Sequence, residues 1–219
     1  GLADEYRRYT QLAGEIARRA ADEFDEQVLV AGSLPPLGES YRYDMAPADD
    51  EALPIYKSLA ATLDPYVDLY VCETMACVRE ARNAAQAAAE SGKPFWVAWT
   101  LAEEPGMGLR SGESVAAALA AVEPFNPAAY LFNGSTPESI TPALGQLRVL
   151  TEKPIGVYPN LLHIPKDWTR DNEVGAGFSE LAIADFVAFA RQWRQQGATI
   201  IGGCCGIGPN YIRALTAGV

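Results

Sequence analysis

Residues 68–99, DLYVCETMACVREARNAAQAAAESGKPFWVAW, carry the pattern that decides the fold. The apolar run 68–72 predicts a strand, the alanine-rich stretch 75–91 predicts a helix, and 95–99 predicts a second strand after Gly92-Lys93-Pro94. Both predicted strands are apolar along almost their whole length, which is typical of a parallel sheet covered on both faces. The unit therefore predicts an α/β protein.

The same alternation continues on both sides of this unit. Further strands are predicted at 27–32, 129–133, 155–158 and 198–201, and further helices at 1–24, 48–63, 114–122, 178–196 and from Pro209. Tyr6, Tyr9, Leu12 and Ile16 form the apolar stripe of the first helix. About six strands are predicted, and the pattern alone leaves open whether they form a barrel or an open sheet.

Length and composition limit the classes of protein and partner. The 219 residues, 49% of them hydrophobic, predict a single domain over 1–219. The net charge of −11 argues against nucleic acid or an anionic membrane surface as the main partner and favours a small molecule or a protein. No apolar run approaches the roughly 20 residues that cross a bilayer, and no signal-peptide order is present, so we expect a cytoplasmic protein.

Adjacent thiols follow the last predicted strand, in Gly202-Gly203-Cys204-Cys205-Gly206. A glycine-rich turn lets the backbone curl, so Cys204 and Cys205 can converge on one soft cation such as Zn²⁺. Two alternatives remain open. The segment could be a buried turn of small residues, or it could cradle an anion at the start of the helix from Pro209.

Together with three earlier segments, this cysteine motif resembles the homocysteine S-methyltransferase family. The segments are Val30-Ala31-Gly32-Ser33-Leu34-Pro35-Pro36, Glu73-Thr74 and Tyr158-Pro159-Asn160. The resemblance implies a (β/α)8 TIM barrel in which three cysteines hold zinc and the sulfur of homocysteine is the fourth ligand. It also implies that S-methylmethionine or S-adenosylmethionine donates the methyl group, and that Glu73 holds the amino group of homocysteine.

Four more polar residues fall at strand ends on the face where barrel active sites lie. Ser33, Asn133, Tyr158 and Asn160 are candidates to hydrogen-bond the substrate or to orient the cysteines, with loop capping as the alternative for each. The single histidine, His163, is interpreted as a loop residue rather than a catalyst.

The sequence departs from the family pattern at two places. Gly134 stands where the first zinc cysteine is expected, which leaves Cys204 and Cys205 as ligands and Ser135 as the nearest candidate oxygen. The Asp-Gly-Gly strand that opens the family, and the strand after it, are not found before the first helix. We therefore expect a barrel that lacks about two N-terminal βα units, completed by a homo-oligomer or by a complementing chain segment.

Two functions from different classes follow. The first is a zinc-dependent S-methyltransferase that converts homocysteine to methionine. The second is a catalytically silent relative that binds an amino acid or a partner, motivated by Gly134. A thiol-redox protein ranks below both, because vicinal cysteines lack the two-residue spacer of redox motifs.

Overall fold

The computed structural model describes residues 5–163, 177–178 and 180–218, and the part of the chain that it describes is built on a parallel sheet. The strands are β1 Ala31–Leu34, β2 Leu69–Met75, β3 Phe95–Trp99, β4 Ala129–Asn133, β5 Ile155–Tyr158, β6 Leu162–His163, β7 Gly177–Phe178 and β8 Ala198–Ile201. The helices are α1 Tyr6–Asp22, α2 Asp49–Leu63, α3 Val78–Glu90, α4 Val115–Val122, α5 Pro137–Arg148, α6 Ile183–Gln195 and α7 Pro209–Gly218.

Six strands form the main sheet in the order β1-β2-β3-β4-β5-β8, and every neighbouring pair is parallel. A second, two-stranded sheet pairs β6 with β7 in antiparallel fashion. The prediction of an α/β protein with six parallel strands is confirmed. Parallel order places the carboxyl ends of all six strands at one edge of the sheet, so the loops after them share one surface.

The two faces of the sheet differ in what they bury. One face packs against the helices through a large core whose largest side chains include Trp99, Tyr130, Phe132 and Trp193. The other face carries a smaller cluster of Val71, Ala98, Ala129 and Leu131, with Trp96, Tyr158 and Ile200 packed against it. Because side chains alternate along a strand, Glu73 and Asn133 continue this second face to the carboxyl ends of β2 and β4.

The first strand and the first helix differ from the prediction. The strand predicted at 27–32 begins only at Ala31, because Val28 and Leu29 are exposed and the pairing with β2 starts at Ala31. The stripe of Tyr9, Leu12 and Ile16 on α1 is also exposed. The helix packs by another face instead, on which a Cβ added to Gly14 would lie 2.8 Å from the Tyr66 ring.

No helix in the described ranges is both long enough and apolar enough to cross a membrane.

Candidate metal and substrate site

The predicted site residues all lie at the carboxyl edge of the main sheet. Ser33 is in β1 and Glu73 in β2; Asn133 ends β4, Tyr158 ends β5, and Asn160, Cys204 and Cys205 follow β5 and β8. The structure thus brings them to one surface, as we expected from the strand order. His163 pairs through its backbone with Gly177 in the small sheet.

The two thiols of Cys204 and Cys205 lie side by side, with their Sγ atoms 3.9 Å apart. The turn that holds them folds tightly, since a Cβ at Gly203 would lie 2.4 Å from the Ile207 Cβ. Two backbone bonds tie it to the loop after β5: Cys204 N donates to Pro159 O at 2.8 Å, and Leu161 N donates to Cys205 O at 2.9 Å. The thiol pair is therefore fixed against the segment that carries Asn160.

This spacing fits two corners of a zinc site. Zn–S bonds of about 2.3 Å at a tetrahedral angle put two sulfur atoms about 3.8 Å apart. Within the described ranges, no third Cys, His, Asp or Glu side chain completes such a cluster. Burial, and then the charge of Cys205, raise the pKa of the Cys204 thiol to about 11, and a bound cation would reverse that tendency.

Glu73 is aimed by a bulge in β2. The register slips between Cys72 and Met75, and Thr74 adopts a φ of 60°. A positive φ is unfavourable for a β-branched residue, and hydrogen bonds with Asn133 stabilise this conformation. The Asn133 amide accepts from Thr74 N at 3.2 Å and donates to Thr74 Oγ1 at 2.8 Å. Asn133 therefore holds the backbone beside Glu73.

The Glu73 carboxylate connects the first strand to the thiols. Ser33 Oγ donates to Glu73 Oε2 at 2.9 Å. Burial, and then the charge of Glu73, raise the pKa of the Tyr158 hydroxyl, and Glu73 also acts on the pKa of Cys204. Ser33 and Glu73 are thus hydrogen-bonded, and Tyr158 and Cys204 lie near enough for the charge of Glu73 to act on both; we call these four residues the polar row. A carboxylate in this row can hold an ammonium group near the sulfur pair.

Asn160 is the most unusual polar group of the site. It is 0% exposed, and its side-chain amide lies beside the Tyr41 hydroxyl, whose pKa it lowers, without a well-aligned hydrogen bond to any described residue. Its backbone N–H donates to Ser135 O at 3.0 Å. A buried amide without a well-aligned partner costs about 1–3 kcal/mol of stability, so the Asn160 side chain has hydrogen-bonding capacity left for a further group.

Ser135, the candidate oxygen from the sequence, is engaged elsewhere. Its hydroxyl accepts from Leu101 N at 2.8 Å and donates to Asn133 O at 3.1 Å. The group that stands beside Gly134 is Tyr41, a buried residue that sequence analysis missed. Tyr41 lies 93 positions earlier in the chain, so the only signal in the sequence was Gly134 at the position where a cysteine was expected.

Comparisons with known proteins match the chain to one family. The family model described as Homocysteine S-methyltransferase matches residues 1–219. The homocysteine S-methyltransferase YbgG of Bacillus subtilis is 28% identical over 236 residues, which cover 99% of this chain and 73% of the relative. The homocysteine S-methyltransferase of Escherichia coli is 30% identical over 221 residues, 93% of this chain and 68% of the relative.

Solved structures agree with the sequence matches. The metallated form of the homocysteine methyltransferase MmuM from Escherichia coli has a TM-score of 0.76 at 26% identity. The superposition covers 96% of this chain and 70% of that one. The chain therefore spans about seven tenths of the length of these relatives.

Proposed function

The chain belongs to the homocysteine S-methyltransferase family, and from that premise we propose that it transfers a methyl group from a sulfonium donor, S-methylmethionine or S-adenosylmethionine, to homocysteine. The product is methionine. The observation that carries the proposal is the pair of thiols 3.9 Å apart at the end of β8, next to the carboxylate of Glu73. A silent relative is not favoured, because the matched relatives are named as methyltransferases.

Cys204 and Cys205 would hold Zn²⁺ as two of its protein ligands. When bound, zinc keeps a coordinated thiol deprotonated at neutral pH, where a free thiol is mostly protonated. The homocysteine thiol loses its proton to solvent and its sulfur forms a bond to the methyl carbon. The bond from that carbon to the donor sulfur breaks, and the donor sulfur keeps the electron pair as a neutral thioether.

Glu73 would bind the amino group of homocysteine. A carboxylate and an ammonium group form a charge-assisted hydrogen bond, and Ser33 fixes the carboxylate by donating to Oε2. The row from Glu73 to Cys204 then sets the distance between the amino group and the sulfur of the substrate. Selection of a short amino-acid thiol follows from that fixed spacing.

Asn160 and Tyr158 would complete the substrate contacts. The Asn160 amide offers two donors and an acceptor in a buried position, which suits a carboxylate of the substrate. The Tyr158 hydroxyl, which lies near the Glu73 carboxylate without a well-aligned hydrogen bond, can donate to the same ligand. Asn133 would not contact the substrate; it would position Glu73 through its hydrogen bonds to Thr74.

We also propose that the six strands are part of a (β/α)8 barrel. The strand order follows the chain order throughout the main sheet, and the small-residue face that ends at Glu73, Asn133 and Tyr158 suits a barrel interior. Active sites of such barrels lie at the carboxyl ends of the strands, where these residues are found.

Methionine formation tests the proposed function. Homocysteine is incubated with each sulfonium donor and the protein, and methionine is measured by mass spectrometry. We expect turnover by the native chain and none by Cys205→Ser. Cys77→Ser is the matched control: Cys77 is the N-cap residue of α3, a position that serine favours, so this variant should keep full activity. Equal activity of both variants would refute the role of Cys205.

A further inference from the structure

The Tyr41 side chain occupies the space that a side chain at position 134 would need. A Cβ added to Gly134 would lie 2.9 Å from the Tyr41 hydroxyl oxygen and 3.0 Å from Tyr41 Cε1. Gly134 also has a φ of 59°, which L side chains rarely adopt. A cysteine at 134 is therefore incompatible with Tyr41 in its present position.

The Tyr41 oxygen stands where a thiol from position 134 would project. The sulfur of a cysteine lies one bond beyond Cβ, and the phenol oxygen is 2.9 Å from that Cβ position. Cys204 and Cys205 are among the groups that raise the pKa of Tyr41, so the phenol lies near the thiol pair. The buried Asn160 amide lies beside the same phenol and lowers its pKa.

Tyr41 is held firmly in this place. Its φ of 70° is uncommon for a residue other than glycine. Arg110 Nε donates to the Tyr41 carbonyl oxygen at 3.2 Å, and the guanidinium carbon lies 5.6 Å from the centre of the Tyr41 ring. Backbone and ring are thus fixed by the Arg110 side chain, which is 7% exposed, and the hydroxyl lies beside Gly134.

We propose that Tyr41 supplies, through its phenol oxygen, the third protein ligand of the metal site that Cys204 and Cys205 begin. This proposal rests on the proposed function and explains how the site is completed with Gly134 in the chain. On binding, the phenol releases its proton to solvent, as a thiol would. Two thiolates and one phenolate carry the same charge of −3 as three thiolates, so the net charge of the bound site is unchanged.

The Ser135 hydroxyl and the two remaining thiols are engaged or buried elsewhere. The Ser135 hydroxyl is bound to the loop around Leu101, and a neutral hydroxyl would add no charge. Cys72 is fully buried, and Cys77 is buried where α3 begins. Among the described residues, no further Cys, His, Asp or Glu joins the pair.

Zinc titration of Tyr41→Phe tests the proposal, with Tyr43→Phe as the matched control. Zn²⁺ affinity is measured by competition with a chromophoric chelator, and phenolate formation by near-ultraviolet difference absorption. We expect a tyrosinate signal on zinc binding in the native chain and in Tyr43→Phe. In Tyr41→Phe we expect no signal and an affinity at least about tenfold lower. Native-like affinity of Tyr41→Phe, or zinc binding without a tyrosinate signal in the native chain, would overturn the proposal.

A double variant keeps the test valid if Tyr41→Phe folds poorly. Tyr41→Ala with Gly134→Cys removes the phenol and places a thiol in the vacated space. With Co²⁺ as the probe, we expect stronger sulfur-to-cobalt charge-transfer absorption than in the native chain, and tighter binding than in Tyr41→Ala alone. Charge-transfer absorption no stronger than in the native chain would show that a thiol at position 134 does not take the ligand position proposed for Tyr41.

The assays separate the two proposals. Methionine formation with no tyrosinate signal would refute the role of Tyr41 and leave the methyltransferase function intact. A tyrosinate signal without methionine formation would do the reverse.

Discussion

Replacement of Glu80 by glutamine should change how stability depends on pH. Glu80 is buried at the start of α3, where its Oε2 accepts from Ala76 N at 3.0 Å. Burial raises the pKa of this carboxyl from 4.5 to about 7, against the opposing effects of that hydrogen bond and of Arg79. The folded chain therefore retains a proton that the unfolded chain releases between pH 4.5 and pH 7.

The sign and size follow from proton linkage. Stability falls with rising pH wherever the folded state binds more protons, so the native chain loses stability from pH 4.5 to pH 7 through this group. A pKa shift of about 2.5 corresponds to a loss of about 3 kcal/mol in the free energy of unfolding, and this loss is complete above pH 7. Glutamine keeps an acceptor for Ala76 N but does not ionise, so Glu80→Gln should lack this decline.

Urea unfolding at pH 5 and pH 8 measures the difference. We expect the free energy of unfolding of Glu80→Gln, relative to the native chain, to increase by about 2 to 3 kcal/mol between the two pH values. Glu90→Gln, on the same helix, should change little over this range, because Lys57 lowers the pKa of the exposed Glu90 carboxyl below 4.5 and the group is ionised in both states. Parallel pH profiles of Glu80→Gln and the native chain would refute the reasoning.

Two further substitutions test the site's supports. Asn133→Ala should lower the unfolding free energy by about 1 to 3 kcal/mol and reduce kcat for methionine formation. The reason is that Thr74 loses both hydrogen bonds that hold its positive φ. Unchanged kinetics would contradict this role of Asn133. Gly134→Ala should destabilise the chain by about 1 to 2 kcal/mol in urea unfolding, through its positive φ and its contact with Tyr41. Gly145→Ala is the control, because a Cβ at this position in α5 meets only an ordinary contact at 3.6 Å and should not destabilise the chain. Equal losses of stability in the two glycine variants would exclude the contact between position 134 and Tyr41 as the cause.

The central strands could be predicted from the sequence because their pattern is local. Phe95–Trp99 and Ala129–Asn133 are the strands predicted at 95–99 and 129–133, since strands buried on both faces are apolar throughout. The start of β1 could not be predicted in the same way. It lies at the edge of the sheet, where pairing with β2 rather than hydrophobicity decides which residues extend.

The polar row could be predicted in outline, and the details of its geometry could not. Parallel strands bring their carboxyl ends together, so Glu73, Tyr158 and Cys204 were expected on one surface. The bulge at Thr74 and the place of Tyr41 depend on contacts between residues far apart in the chain: Asn133 with Thr74, and Gly134 with Tyr41. No periodicity or local motif encodes such contacts.

The number of sulfur atoms around bound zinc tests the central claim most directly. X-ray absorption at the zinc edge is recorded on the zinc-loaded chain before and after addition of homocysteine. We predict two sulfur neighbours, from Cys204 and Cys205, rising to three when the substrate thiol binds. A count that stays at two with homocysteine present, or a zinc ion without the two cysteine sulfurs, would contradict it.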